Sequence, residues 1–194
     1  LKLQCLVNVL MKYLLDIHGL QIWIALPKEL EQMDPNFVHI EKEGIPSWSE
    51  GALDFKLIAG KVGARESKVP VYSDLYMIEV HASEDATVDF KSELFGESGL
   101  YILEGEIVSD GNTFGDKQLL VTQESNLCAF EIKAGSKVYI FGGTPFKEER
   151  WIDWNFVSSD KSLIDEAKKR WEEQSFPKVI NDEVDFVPYP TKIK

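Results

Sequence analysis

The chain has 194 residues, 44% of them hydrophobic, and its 33 acidic side chains outnumber its 21 basic ones for a formal net charge of −12. A surface of that charge repels a phosphate backbone, and no long basic stripe reverses it locally, so we expect no direct nucleic-acid binding. Two cysteines, Cys5 and Cys128, lie far apart in the sequence. They encode neither a disulfide framework nor a thiolate zinc site, and they favour a reducing cytoplasm.

The first segment, residues 1–27, is apolar but too interrupted to cross a bilayer. Lysines and an aspartate divide it, so no uninterrupted apolar stretch approaches the ~20 residues of a spanning helix. Within it, GLQIWIALP at 19–27 opens with Gly, closes with Pro and predicts a buried strand. Residues 28–50 contain further prolines and predict a linker. We therefore expect no membrane segment.

From residue 51 to residue 150 the pattern changes to short apolar runs separated by turn residues. Runs such as ALDFKLIAG, GLYILEGEIV and KVYIFGG recur at regular intervals, with glycines or Ser/Asp/Asn clusters between them. This pattern is typical of an antiparallel sandwich or barrel. The sequence therefore predicts an all-β fold over 51–150.

Residues 151–194 predict a closing helix and an extended tail. The segment SSDKSLIDEAKKRWEEQ places apolar side chains on one helical face and i,i+4 ion pairs outside it. The apolar positions are Leu163, Ile164, Ala167 and Trp171, and the pairs are Asp165 with Lys169 and Glu166 with Arg170. Ser159 or Asp160 supplies the N-cap, and Pro177 stops the helix. The remaining tail, with its prolines, predicts a strap across the surface.

Four segments in this order carry a resemblance to a known family. They are HGLQIWIALPKE at 18–29, KLIAGKVGARESKVPVYSDLYMIEV at 56–80, YILEGEI at 101–107 and FGGTPFKEE at 141–149. In these motifs and their order the chain resembles the pirin family, a branch of the two-barrel cupins. The segment WIDWNFVSSD departs from a Gly-Pro-Phe-Val-Met-Asn stretch of many pirins. The resemblance implies a cupin-type antiparallel β-barrel, or jelly roll, with one C-terminal amphipathic helix.

The resemblance also implies what an intact pirin contains. Such a protein has two successive barrels, and the first holds a single iron through an HxH pair, a third His and a Glu. Residues 1–17 contain neither His nor Glu and depart wholly from that pattern. Residues 1–27 then correspond to the last strand of the first barrel, and the chain is expected to carry the second barrel without the iron.

Two function classes stay open on this basis. The first is a noncatalytic C-terminal cupin module with a structural or regulatory role through protein contacts. The second is part of a metal-dependent quercetin 2,3-dioxygenase whose iron site lies in the N-terminal barrel. The first class is favoured for this chain.

The general cupin ligand pattern, carried over by the same resemblance, falls on residues that ligate poorly. Counted from Gly105 and Gly135, the HxH positions fall on Lys91 or Ser92 and on Glu93 or Leu94, the Glu position on Ser98 and the last His position on Val138. A divalent metal needs three or four nitrogen, oxygen or sulfur ligands. We therefore expect no bound catalytic metal and assign no catalytic, cofactor-binding or metal-ligating residue.

Histidine and cysteine positions give no alternative site. His18, His39 and His81 are far apart and fall in a strand start, the linker and a strand end, so we interpret them as unrelated residues rather than ligands of one ion. Cys128 alternates with apolar neighbours and predicts a buried side chain. No histidine is close to it in sequence to make it a nucleophile.

The remaining candidates each have a structural and a functional interpretation. FGG at 141–143 lacks the spacing and the lysine of a phosphate-binding loop and predicts a strand-ending bend. Glu104 and Glu106 flank Gly105 on one strand face; they could form an acid–base pair, but solvent-facing carboxylates are favoured. Trp151 and Trp154 could form an aromatic binding surface, although core packing against the closing helix is favoured.

Residues 1–27 also lead to a prediction about assembly. An apolar segment without its own barrel leaves an exposed apolar surface and a strand edge that can pair with another chain. We therefore expect a homodimer or a domain-swapped oligomer through residues 1–27, and the noncatalytic interpretation adds a protein partner.

Overall fold

The computed structural model of the chain describes residues 2–4, 19–90, 93–122, 129–178, 184 and 186–190. It divides into two compact units. The barrel unit is Asp34–Phe146, and the flanking unit is Leu1–Met33 together with Lys147–Lys194.

The elements follow one another along the chain in three groups. The flanking unit begins with β1 (Lys2–Gln4), β2 (Gln21–Trp23) and a 3-10 turn at Lys28–Leu30. The barrel unit has a 3-10 turn at Lys42–Gly44 and then β3 (Ser47–Glu50), β4 (Leu53–Val62), β5 (Arg65–Glu66), β6 (Leu75–Ala82), β7 (Ala86–Asp89), β8 (Glu97–Glu104), β9 (Ile107–Ser109), β10 (Asn112–Phe114), β11 (Leu119–Thr122), β12 (Ala129–Ile132) and β13 (Lys137–Gly143). The flanking unit resumes with β14 (Trp151–Asp153), β15 (Phe156–Ser158) and α1 (Lys161–Glu172).

Two antiparallel sheets form the barrel unit and enclose one core. The larger sheet has the order β11-β8-β13-β6-β4-β3, with β5 paired to β4, and the smaller has the order β10-β9-β12-β7. Side chains of both sheets join one buried hydrophobic cluster, which includes Leu57, Val80, Val138, Val88 and Ile132. Along β6 every second residue is buried, as the period of a strand with one face in a core requires. The predicted antiparallel barrel is confirmed.

The barrel begins at β3, inside the segment 28–50 that the sequence assigns to the linker. β3 pairs antiparallel with β4, and Trp48 lies opposite Phe55. Their rings stack with centroids 5.0 Å apart, and the Leu57 amide donates a hydrogen bond to the Pro46 carbonyl at 2.9 Å. Proline is compatible with the end of an edge strand, so Pro46 does not prevent this pairing. Pairing with β4 therefore adds a strand that the local sequence pattern does not predict.

The apolar segment 19–27 forms a shorter and more exposed strand than predicted. β2 covers three residues and pairs antiparallel with β1, with Ile22 opposite Leu3. No residue of β2 is buried, and Ile24 directly after it is 47% exposed. A strand paired with so short a neighbour covers little apolar surface, so this run does not become a core strand.

The predicted C-terminal amphipathic helix is confirmed as α1. The Asp160 carboxylate caps it by accepting a hydrogen bond from the Ser162 amide at 2.8 Å, and the helix ends at Glu172, before Pro177. Ile164 on its apolar face is buried. No helix among the described residues has the length and apolar character needed to cross a membrane.

The ion pairs of α1 differ from the predicted ones. Lys168 contacts Asp153 of β14 as well as Asp165 one turn earlier, and Lys169 contacts Glu173. The neighbouring hairpin supplies a carboxylate that competes with partners on the helix itself. Spacing along the helix alone does not show that competitor.

Candidate functional site

The cupin ligand positions that lie in the barrel core are filled by packed side chains. Val138 is completely buried, and Leu94 is 3% exposed. Ser98 is 2% exposed, and its hydroxyl shares a hydrogen bond of 2.5 Å with the hydroxyl of Tyr76. This pairing satisfies both buried hydroxyls within an apolar surrounding.

These positions do not fit the iron that the resemblance implies for an intact pirin. Val138 and Leu94 have no lone pair to donate, and Ser98 is engaged with Tyr76. In the described part of the chain, no group of three or more His, Cys, Asp or Glu residues is arranged to hold a metal. The candidate positions Lys91 and Ser92 lie outside the described residues. The absence of a catalytic metal stays a prediction.

The remaining ligand position, Glu93, lies in an open surface groove of the barrel unit rather than in the core. The groove has a volume of about 770 Å³. Its charged lining residues are Lys61, Lys68, Glu66, Asp74 and Glu93. Because cationic and anionic groups are mixed there, the groove selects no single charge class of ligand.

The described histidines have separate neighbours. His39 Nε2 lies 3.1 Å from Glu41 Oε1 on the surface of the linker segment 28–50. His81 Nδ1 lies 4.0 Å from Asp54 Oδ2 near the end of β6. His18 and Cys128 lie outside the described residues, and the interpretations of these two side chains stay predictions.

Glu104 and Glu106 do not share a strand face, and this part of the prediction is wrong. β8 ends at Glu104 and β9 begins at Ile107. Between them Gly105 has φ +84°, and a Cβ there would lie 2.2 Å from Ser136 Oγ. The close approach of Ser136 requires a glycine turn, so the chain bends between the two carboxylates.

The segment Phe141-Gly142-Gly143 ends β13, as predicted, but its residues are paired in register with β6 and do not form the predicted bend. Phe141 is buried, and a Cβ at Gly142 would lie 2.3 Å from the Glu97 carbonyl oxygen and 2.5 Å from the Tyr76 hydroxyl oxygen. Glycine in a strand interior often marks such a close approach of neighbouring chain. The local geometry therefore accounts for these glycines without a phosphate.

A polar network on the outer face of the larger sheet has no local signal in the sequence. Lys56 Nζ lies 2.5 Å from Glu79 Oε1, and the Tyr139 hydroxyl donates to Glu79 Oε2 at 2.7 Å. Burial opposes ionisation of Glu79, but the hydrogen bonds from Lys56 and Tyr139 outweigh it and hold the pKa of Glu79 below its usual range. Burial, followed by the bond to Glu79, raises the pKa of Tyr139. An anionic Glu79 thus stands beside a neutral tyrosine.

The flanking unit contains a buried ion pair that the sequence did not predict. Arg150 Nε lies 3.1 Å from Glu31 Oε1, and the two side chains are 11% and 6% exposed. Glu31 also accepts hydrogen bonds from the Ser158 hydroxyl at 2.6 Å and the Ser159 amide at 2.8 Å. Arg150 donates to the Leu26 carbonyl. No short-range pattern connects residues so far apart in sequence.

The two tryptophans of β14 and its turn have different surroundings. Trp154 packs edge-on against Trp171 of α1 and Phe156 of β15, with ring centroids 5.1 and 5.6 Å away. Trp151 is 39% exposed, with Lys161 Nζ 3.6 Å from its ring centroid. Core packing is therefore a wrong prediction for Trp151, because its exposed ring packs under the Lys161 ammonium group at the start of α1.

The two antiparallel sheets around one apolar core define a barrel of the cupin class. Residues 77–177 match the family model of the pirin C-terminal cupin domain. The chain belongs to the pirin family.

Known proteins resemble the chain over most of its length. It is 35% identical over 173 residues to a pirin-like protein of Caulobacter vibrioides, a match that covers 89% of this chain and 59% of that relative. It is 32% identical over 157 residues to a Pseudomonas aeruginosa protein whose name proposes quercetin 2,3-dioxygenase activity, covering 80% of this chain and 49% of that protein.

A solved structure agrees with both. The crystal structure of quercetin 2,3-dioxygenase from Acinetobacter baumannii superposes with a TM-score of 0.77 at 25% identity, over 91% of this chain and 59% of that one. The chain therefore spans between about half and three fifths of the length of these proteins.

Proposed function

We propose that this chain is a noncatalytic C-terminal cupin module of a pirin-like protein, with a structural or regulatory role exerted through protein contacts. The observation that carries the proposal is the content of the barrel core. The ligand positions there hold Val138, Leu94 and Ser98, and the one hydroxyl among them is paired with Tyr76.

Metal binding in this core is limited by the number of side-chain atoms that can ligate an ion. A metal that activates a substrate needs several protein ligands and an open coordination position. Packed carbon side chains supply neither, and displacing them would expose apolar surface inside the core. One restored imidazole at Val138 would not hold an ion by itself.

The test combines metal content with turnover. The purified 194-residue chain is incubated separately with Fe²⁺, Ni²⁺, Cu²⁺ or Mn²⁺, passed through a gel-filtration column and measured for bound metal. The same samples are then assayed under air for loss of the quercetin absorbance. We expect neither stoichiometric metal nor metal-dependent turnover.

The opposite outcome has a defined signature. Near-stoichiometric metal that survives gel filtration, with turnover lost in His81→Ala, would overturn the proposal. The exposed residue His39 provides the matched control, because His39→Ala removes a surface imidazole that lies beside the exposed Glu41 carboxylate.

The second candidate is part of a metal-dependent quercetin 2,3-dioxygenase whose iron lies in an N-terminal barrel. The match to the Acinetobacter baumannii enzyme favours it, because the chain covers 59% of that protein. An in-frame HxH pair and His-Ser-Glu stretch encoded upstream of Leu1 would support this candidate. A gene without them would count against it.

The assembly proposal concerns residues 1–27. The short two-stranded sheet of β1 and β2 offers an edge that another copy could pair with, and such a copy would cover Ile24, which is 47% exposed. We expect a homodimer or domain-swapped oligomer in light scattering that dissociates in Ile24→Asp, whereas a monodisperse monomer at high concentration would contradict it. A cytoplasmic location is proposed only from the small number of cysteines and their wide separation in the sequence.

A further inference from the structure

We infer that the flanking unit carries a groove for extended, proline-flanked aromatic segments of a partner protein, and that the C-terminal tail of this chain fills that groove as an internal occupant. The aromatic groove is formed by Trp154, Phe156, Trp171 and Phe176, and the strap is residues 186–190. The inference rests on the proposed protein-interaction role, and it specifies that the partner's segment is extended and carries aromatic residues flanked by prolines.

The groove is a continuous set of ring contacts between α1, the β14–β15 hairpin and the residues after the helix. Trp154 and Trp171 meet edge to face at 5.1 Å. Phe156 lies 6.3 Å from Trp171 and stacks on Phe176 at 6.1 Å. Such a surface offers aromatic faces and edges together with an indole N–H.

The strap uses that surface with both ring and polar contacts. Phe186 stacks on Trp171 at 5.7 Å and 25°. The Trp171 indole donates a hydrogen bond to the Val187 carbonyl at 2.9 Å. Tyr189 packs edge-on against Trp154 at 5.6 Å, and its hydroxyl donates to Asp153 at 2.9 Å.

The sequence of the strap, FVPYP, prepares it for this mode of binding. Pro188 and Pro190 have a fixed φ, and Val187 and Tyr189 each precede a proline, which restricts them to extended or polyproline conformations. Extended proline-rich segments dock in aromatic-lined grooves because little conformational entropy is lost. The observed contacts have this form.

The strap is placed to exchange with such a segment. Phe186 is 42% exposed and Val187 is 65% exposed, so the segment lies on the surface instead of inside a core. Its tether gives it a high effective concentration over its own groove. A partner segment with the same pattern therefore binds weakly to the closed chain and more tightly once the strap is released.

The test uses a fluorescein-labelled peptide with the sequence VDFVPYPTKIK, which is residues 184–194, titrated by fluorescence anisotropy into the full chain. The strap-release variant carries Phe186→Ala and Tyr189→Ala together. Since the tether contributes an effective concentration in the millimolar range, we expect release to tighten peptide binding by at least about 10-fold.

Three controls make the measurement specific. A peptide with both prolines replaced by glycine should bind the release variant more weakly. Trp171→Phe on the release background keeps a ring but loses the indole N–H, and it should also weaken binding. Phe37→Ala removes an aromatic ring that is 87% exposed in the barrel unit and should leave the wild-type affinity unchanged.

Each outcome supports or overturns the inference. Equal affinity for the wild type and the release variant, or no saturable binding by a release variant that keeps its circular dichroism, would overturn it. A wild-type dimer that becomes monomeric on strap release would also overturn it, in favour of strap exchange between copies. None of these results depends on metal content, so failure here leaves the noncatalytic barrel standing.

Discussion

Replacing Arg150 by methionine tests the buried ion pair of the flanking unit. The change keeps an apolar stem but leaves the Glu31 carboxylate, 6% exposed, without its cation. It also removes the donors to the Leu26 carbonyl. Breaking one side of a buried pair costs about 3 kcal/mol or more, because the other charge stays desolvated. For a domain of this size that corresponds to a fall in Tm of roughly 6–12 °C.

The assay is urea denaturation followed by tryptophan fluorescence, with circular dichroism to verify the folded baseline. Lys169→Met is the matched control, since Lys169 and its partner Glu173 are 75% and 57% exposed. It should not change stability measurably. The double variant with Glu31→Gln should lose less stability than the sum of the two single losses, because each single change already removes the ion pair.

A defined result would refute this reasoning. If Arg150→Met loses no more stability than Lys169→Met, the serine donors around Glu31 suffice and the arginine contributes nothing net. Additive losses in the double variant would likewise show that the two side chains are not coupled.

Three further predictions concern the barrel unit. Ser98→Ala removes the hydroxyl that shares a hydrogen bond with the buried Tyr76 hydroxyl and should cost about 1 kcal/mol in urea denaturation; no loss would show that this hydrogen bond contributes nothing net. Gly142→Ala brings a Cβ within 2.3 Å of the Glu97 carbonyl oxygen and should lower Tm by calorimetry, whereas an unchanged Tm would contradict the close approach. The pKa of Glu79 is lower in the fold than its reference value of 4.5. The stability that ionised Glu79 contributes to the fold is therefore complete above pH 4.5 and is lost as the pH falls through the folded pKa. Glu79→Gln should therefore show a shallower loss of stability below pH 4.5, and parallel curves for the two proteins would rule the linkage out.

Elements whose signal is local could be predicted from the amino-acid sequence. The alternation along β6 follows from the period of two of a strand, and a helix N-cap at Ser159 or Asp160 follows from their position just before an apolar periodic segment. These features depend on neighbours within a few residues. They are therefore visible without any knowledge of the fold.

Features that depend on residues far apart in sequence become apparent only in the folded chain. β3 becomes a barrel strand because it pairs with β4 and the Trp48 ring stacks on Phe55. The chain bends at Gly105 because Ser136 lies too close for any side chain at that position. Lys168 likewise pairs with a carboxylate of the neighbouring hairpin. In each case the partner is supplied by strand pairing or packing, which single-chain periodicity does not encode.

The same distinction applies to the candidate sites. The sequence marked Ser98 and Val138 as ligand positions without imidazoles, but their burial became visible only once both sheets closed over one core. The prolines of the tail predicted a strap. Its contact with Trp171 could be identified only from the structure, because the helix and the hairpin together form the surface that it contacts. Local chemistry fixes which conformations a segment can adopt, and the packing of distant segments fixes what it contacts.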